Sequence, residues 1–145
     1  MIVKQAIFEE AQQVALLAQK LWPDNEVSSL KIEIEELLQK DDALVVLAYD
    51  AERAIGFAQC QLRYDYVEGT ETSPVGYLEG VYVEEEARLQ GVAKNLIAAC
   101  EEWAHKQGCV EFASDCELNN EESLKMHLQL GFIEANRIIC FTKKI

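Results

Sequence analysis

The period of the apolar positions changes several times along the chain, and each change predicts an element. Ile2 to Ile7 reads as a short strand, and from Glu9 to Leu21 the residues Val14, Leu17, Ala18 and Leu21 recur at helical spacing. Pro23 closes that helix. Leu30, Ile34, Leu37 and Leu38 mark a second helix from about Ser28 to Gln39, and the run Ala43 to Tyr49 reads as a largely buried strand. A turn at Asp50 to Arg53 returns the chain as an antiparallel strand, Ala54 to Tyr64. The acidic stretch Tyr64 to Ser73 is a loop long enough to suggest function.

Pro74 to Val83 is again strand-like and leads through Glu84-Glu85-Glu86-Ala87-Arg88 into a helix with Val92, Leu96, Ala99, Cys100 and Trp103 on one face, stopped by Gly108. Val110 to Asp115 is a strand. Asn120, followed by Glu121 and Glu122, caps a last helix that ends at Gly131, and Ile133 to Thr142 finishes as extended chain. The order βααβββαβαβ is mixed α/β, with the strand, helix and strand from Pro74 to Asp115 forming a crossover unit.

Composition narrows the partners. The chain has 145 residues, half of them apolar, with no repeat or linker, which fits one domain spanning 1–145. Its 13 Lys and Arg against 26 Asp and Glu give a net charge of −13, which would repel nucleic acid and favours a cationic ligand, though such a charge also serves solubility alone. No signal-peptide core or membrane-length apolar run is present, so a cytoplasmic protein without membrane contact is expected. The five cysteines, Cys60, Cys100, Cys109, Cys116 and Cys140, show no C-x-x-C pair and no His at ligand spacing, which argues for reduced thiols and against a metal site.

The most informative stretch joins the strand ending at Val83 to the helix that follows. The first N–H groups of a helix lack partners and carry the positive end of its dipole, and Gly91 and Ala93 allow an anion close to the backbone. Such spacing also suits an ordinary helix start. Arg88-x-x-Gly91-x-Ala93, however, resembles the acetyl-CoA pyrophosphate motif of the GNAT superfamily of N-acetyltransferases, and Asn120-x-x-Ser123 followed by His127 and Leu130-Gly131-Phe132 is similar to the superfamily's next motif. The resemblance implies the GNAT acyl-CoA N-acyltransferase fold, a mixed central sheet flanked by about four helices. It implies acetyl-CoA as co-substrate, held by Val81, Val83, Arg88, Gln90, Gly91, Val92, Ala93, Lys94 and Asn120. One departure is His127, where the superfamily usually has a Tyr that can protonate the leaving thiolate; His127 is a donor, a packing residue or neither.

Trp22-Pro23, Arg63 to Val67, Ser73 to Val75, Leu78 to Val83 and Ala113 to Asp115 together resemble the aminoglycoside 6′-N-acetyltransferases of Gram-negative bacteria. By that resemblance Trp22, Tyr66, Glu79 and Asp115 contact a polycationic aminoglycoside, Asn136 lies where the family places a contact from the partner subunit, and the protein is a homodimer. The residues themselves agree in outline. In an unbulged strand Tyr77, Glu79, Val81 and Val83 share a face, which sets a carboxylate among apolar neighbours, where it is either paired structurally or reserved for a cation. Asp115 ends the next strand, at the edge where ligands gather in α/β sheets and where turn acids are also common.

The expected chemistry is direct attack of the 6′-amine on the acetyl thioester in a ternary complex, since no cysteine sits in a nucleophile setting with His and acid. Glu79 is the candidate base and Asp115 orients the substrate, with the proton task open to sharing. Backbone N–H groups near Val81 and Val83 are expected to bind the acetyl carbonyl and the pantetheine arm. Two other readings stay open: acetylation of another amine, such as a polyamine or a protein N-terminus, and a non-catalytic acyl-CoA sensor.

Overall fold

The computed structural model describes residues 1–145. Strand β1 (Ile2–Gln5) is followed by a 3-10 turn at Phe8–Glu10, helix α1 (Ala11–Leu21) and helix α2 (Val27–Leu37). Strands β2 (Ala43–Asp50), β3 (Arg53–Arg63) and β4 (Val75–Val83) come next, and a second 3-10 turn at Glu85–Ala87 opens helix α3 (Val92–Lys106). Strand β5 (Phe112–Ser114) and helix α4 (Glu121–Gln129) complete the regular structure. One sheet of order β1-β2-β3-β4-β5 results, antiparallel except for the β4–β5 pair, which α3 joins as a crossover.

The sheet is covered on both faces, which explains why β2 is buried from Ala43 to Ala48 rather than alternating. Leu44, Val46, Ala58, Cys60 and Leu78 pack with Val92, Leu96, Ile97 and Cys100 of α3. Val45, Leu47 and Phe57 pack on the other face with Val14, Leu17 and Ala18 of α1 and with Leu30 and Ile34 of α2. Phe57 and Leu47 are fully buried, each contributing roughly 1.5–3 kcal/mol of transfer free energy. Cys60, Cys100 and Cys109 are buried thiols, while Cys116 and Cys140 are exposed.

Two expectations are corrected. First, β4 is bulged. Gly80 pairs with Gln59 and Leu78 with Cys60, leaving Glu79 without an opposite residue. The extra residue reverses the alternation: Leu78 packs toward α3, yet Gly80 lies under Trp22 and Leu21 of the α1 side, and Val81 and Val83 pack toward α3. Tyr77 therefore does not share a face with Val81 and Val83, as an unbulged strand required. Second, Ile133 to Thr142 forms no strand, and every residue from Ile133 to Ile145 is exposed. Extended chain becomes a strand only with a ladder partner, and this segment finds none in its own chain.

Candidate active site

β5 pairs with β4 only at Gly76–Phe112, Tyr77–Ala113 and Leu78–Ser114. Beyond that point β4 runs on from Glu79 to Val83 with no strand on its β5 side, so the edge amides near Val81 and Val83 lie along an opening that begins at the bulge. Glu79 stands at the start of this opening on β4, and Asp115 immediately follows β5.

The two acids are linked through Arg63 and Tyr77, residues to which the sequence reading gave no role at the site. The Arg63 guanidinium donates to both Glu79 oxygens, from Nη2 at 2.7 and 2.9 Å and from Nε at 3.0 Å. Its Cζ also lies 3.4 Å from the centroid of the Tyr77 ring, and the Tyr77 hydroxyl donates to Asp115. Burial, reinforced by the Asp115 hydrogen bond and charge, pushes the Tyr77 hydroxyl well above its ordinary range, so it stays a donor. The open alternative for Glu79 thus resolves to an ion pair in the free protein. Arg63 was missed because its Cα pairs with Val75 rather than with Glu79, and the contact is made diagonally along the shared face by the length of the two side chains. The signal available was a basic residue ending one strand of a hairpin whose other strand carries an acid.

Trp22, just past α1, lies over Gly80, where a Cβ would come within 2.8 Å of its indole ring, and meets Phe57 edge-on at 6.2 Å between centroids. Tyr66 and Asn136 are brought together at Glu68. Both contact Glu68 of the 64–73 loop, from the Tyr66 hydroxyl at 3.4 Å and from Asn136 Nδ2 at 3.2 Å, and no hydrogen bond joins this group to Glu79.

The other half of the opening is the start of α3. Arg88 Nε donates to the Val83 carbonyl at 2.9 Å, folding the connecting loop back on β4. Leu89 and Gly91 both take left-handed backbone conformations, φ +61° and +82°. The Asn95 N–H closes the first helical turn on the Gly91 carbonyl at 3.1 Å, leaving the amides of Val92, Ala93 and Lys94 at the helix's positive end. Gln90 sits at the rim, its side chain 3.3 Å from the Glu86 carbonyl, and Asn120 caps α4 by accepting from the Ser123 N–H at 3.1 Å.

His127 is held at both nitrogens. Nδ1 lies 2.7 Å from the Ser123 carbonyl, which only accepts, so Nδ1 carries a proton, and Nε2 shares a hydrogen bond with the Ser114 hydroxyl at 2.8 Å. The ring also meets Phe132 at 5.0 Å. Through these two bonds the ring ties α4 to β5.

Residues 8–132 match the sequence profile of the Acetyltransferase (GNAT) family. The chain is 48% identical over 129 residues to an aminoglycoside N(6′)-acetyltransferase type 1 of Acinetobacter haemolyticus, covering 89% of this chain and 88% of that one. A protein of the same name from Serratia marcescens is 42% identical, with 86% of each chain covered. Among solved structures, AAC(6′)-Iy in complex with the bisubstrate analogue CoA-S-monomethyl-acetylneamine superposes with a TM-score of 0.95 at 38% identity, covering 99% of this chain and 98% of the other. Apo AAC(6′)-Ig of A. haemolyticus gives a TM-score of 0.94 at 43% identity, covering 100% and 99%. The chain belongs to the GNAT family of acetyltransferases.

Proposed function

We infer that this protein transfers the acetyl group of acetyl-CoA to the 6′-amino group of aminoglycoside antibiotics by direct attack in a ternary complex, and so confers aminoglycoside resistance. The observation that carries the reading is the opening between β4 and β5: two carboxylates, Glu79 and Asp115, stand at its start, and the free amides of α3 stand at its far end. The start of α3 fits a diphosphate. Its amides are unpaired, and the Cβ position of Gly91 has no atom within 4 Å. We assign the diphosphate to Gln90, Gly91, Val92, Ala93 and Lys94, with Arg88 shaping the loop, and the pantetheine arm and acetyl carbonyl to the amides near Val81 and Val83 and to Asn120.

Acetyl-CoA supplies the activated acetyl group. This chain's own part is to place and deprotonate the amine. Glu79, directly or through water, takes the proton; Asp115, steadied by Tyr77, orients the aminoglycoside, and Trp22 and Tyr66 wall its sugar faces. The charge of −13 attracts a polycation from a distance, an advantage that shrinks with salt.

Homodimerisation and a cytoplasmic location are part of the proposal. The outer edge of β5 has no strand, α4 has no fully buried residue, and Ile133, Ile138, Ile139 and Phe141 of the C-terminal segment are exposed, so edge, helix face and segment all await a second copy. Asn136 lies on that segment and would be offered to the partner's site. All five cysteines are free thiols, as a reducing compartment keeps them.

Thiol release from acetyl-CoA with kanamycin tests the activity. Turnover with spermidine but not kanamycin would move the substrate, and no release with CoA still bound would leave a sensor. Glu79→Gln is expected to lower kcat/KM by about ten- to a thousand-fold with acetyl-CoA affinity nearly kept. Asp115→Asn weakens aminoglycoside binding more than cofactor binding; equal losses would mean misfolding instead.

A further inference from the structure

We propose that Arg63 occupies, in the free enzyme, the seat that a substrate ammonium takes, so that aminoglycoside binding displaces its guanidinium toward solvent. The inference rests on the reading above in which Glu79 receives the amine. Both Glu79 oxygens already accept from Arg63 at 2.7–3.0 Å, and the face of Tyr77 is covered by the same guanidinium at 3.4 Å. A cation between a carboxylate and an aromatic face, beside a second carboxylate bonded to that aromatic hydroxyl, is the arrangement a protonated amine on a sugar would adopt. Arg63 and the ammonium therefore compete for one place.

Arg63 is built to leave and Glu79 to stay. Arg63 is the last residue of β3 and its side chain is 40% exposed, whereas the Glu79 side chain is only 18% exposed and is anchored at the bulge. A long arginine side chain at a strand end can turn its head into water at little cost, while a mostly covered carboxylate keeps a need for a cation. The free site is thus held ready and partly neutralised. Departure of the guanidinium also uncovers the Tyr77 ring for the substrate.

The test is calorimetric titration of kanamycin into the CoA-loaded enzyme and its variants. Arg63→Gln removes the competitor, and its Kd for kanamycin is expected to fall by about tenfold, a modest gain because the pair is partly exposed. KM for kanamycin falls with it, while kcat does not rise, since only ground-state binding is strengthened. Arg63→Lys keeps the charge but not the fork, so its Kd lies between the two and guards against a folding defect in the Gln variant. In the double variant with Glu79→Gln, the gain from Arg63→Gln disappears, because Arg63 acts through that carboxylate. Weaker kanamycin binding in both Arg63 variants would overturn the inference and make Arg63 a fixed part of the wall. If Glu79→Gln alone leaves kanamycin binding unchanged, the assignment of Glu79 itself fails, and this inference falls with it.

Discussion

Gly91→Ala separates a backbone effect from a steric one at the start of α3. A Cβ at Gly91 meets no atom within 4 Å, so the substitution creates no clash. Its cost comes from φ, which is +82°, a conformation that penalises an L-residue by about 1–2 kcal/mol. Leu89, two residues earlier, is already left-handed, so the loop has little slack for relieving the strain. Unfolding a chain of 145 residues carries an entropy near 0.3 kcal/mol/K, from about 2.1 cal/mol/K per residue, so the melting temperature should fall by about 3–7 °C. If the backbone relaxes instead, the amides of Val92 and Ala93 turn away from the opening. A lost hydrogen bond from an amide to a charged phosphate is worth about 1.5–3 kcal/mol, or roughly 10- to 100-fold in affinity. Either route acts on the coenzyme side of the site alone. Steady-state thiol release, varying acetyl-CoA at saturating kanamycin and then the reverse, together with a thermal melt, reads both effects. On the relaxed route KM for acetyl-CoA is expected to rise by about tenfold or more with the melting temperature nearly kept, and on either route KM for kanamycin stays within about twofold of wild type. A melting temperature kept near wild type, which marks the relaxed backbone, with an unchanged KM for acetyl-CoA would show that these amides do not hold the diphosphate.

Two further outcomes follow from contacts elsewhere. Gly80→Ala drives a Cβ to 2.8 Å from the Trp22 indole, so the ring must move at a cost of about 1–3 kcal/mol. KM for kanamycin should rise with acetyl-CoA kinetics kept, and an unmoved KM would remove Trp22 from the substrate wall. Glu10 accepts from the Tyr49 hydroxyl, from the Ile7 N–H at 3.0 Å and from Lys4 at 3.1 Å, and Glu10→Gln should cost about 1.5–3 kcal/mol at neutral pH. Burial pushes its pKa up, but the bonds from Tyr49, Ile7 and Lys4 together hold it below the ordinary value of 4.5. A depressed folded pKa means stability that is present above 4.5 and lost as pH falls through the lower folded value. The gap in melting temperature between wild type and Glu10→Gln should therefore close on acidification below pH 4.5, and a gap constant from pH 7 to about 3 would contradict this.

What the sequence determined by itself is whatever depends on neighbours along the chain. The period of Val14, Leu17, Ala18 and Leu21 places α1, the uninterrupted apolar run from Ala43 announces a strand covered on both faces, and Asn120 and Gly131 bound α4 because caps and left-handed stops are local chemistry. The Arg88 to Lys94 stretch is legible for the same reason, since the free amides of a helix start follow from its being a helix start. Tertiary structure alone decided the rest. The bulge at Glu79 exists only in the register between β3 and β4, and one extra residue was enough to separate Tyr77 from Val81 and Val83. That same register brought Arg63 to Glu79, and the meeting of β4 with β5 brought Tyr77 to Asp115. The pattern Ile133 to Thr142 predicted an extended chain, but a pattern cannot supply a ladder partner. Charge pairing across strands and strand formation both depend on what lies alongside in space, and spacing along one chain carries no record of that.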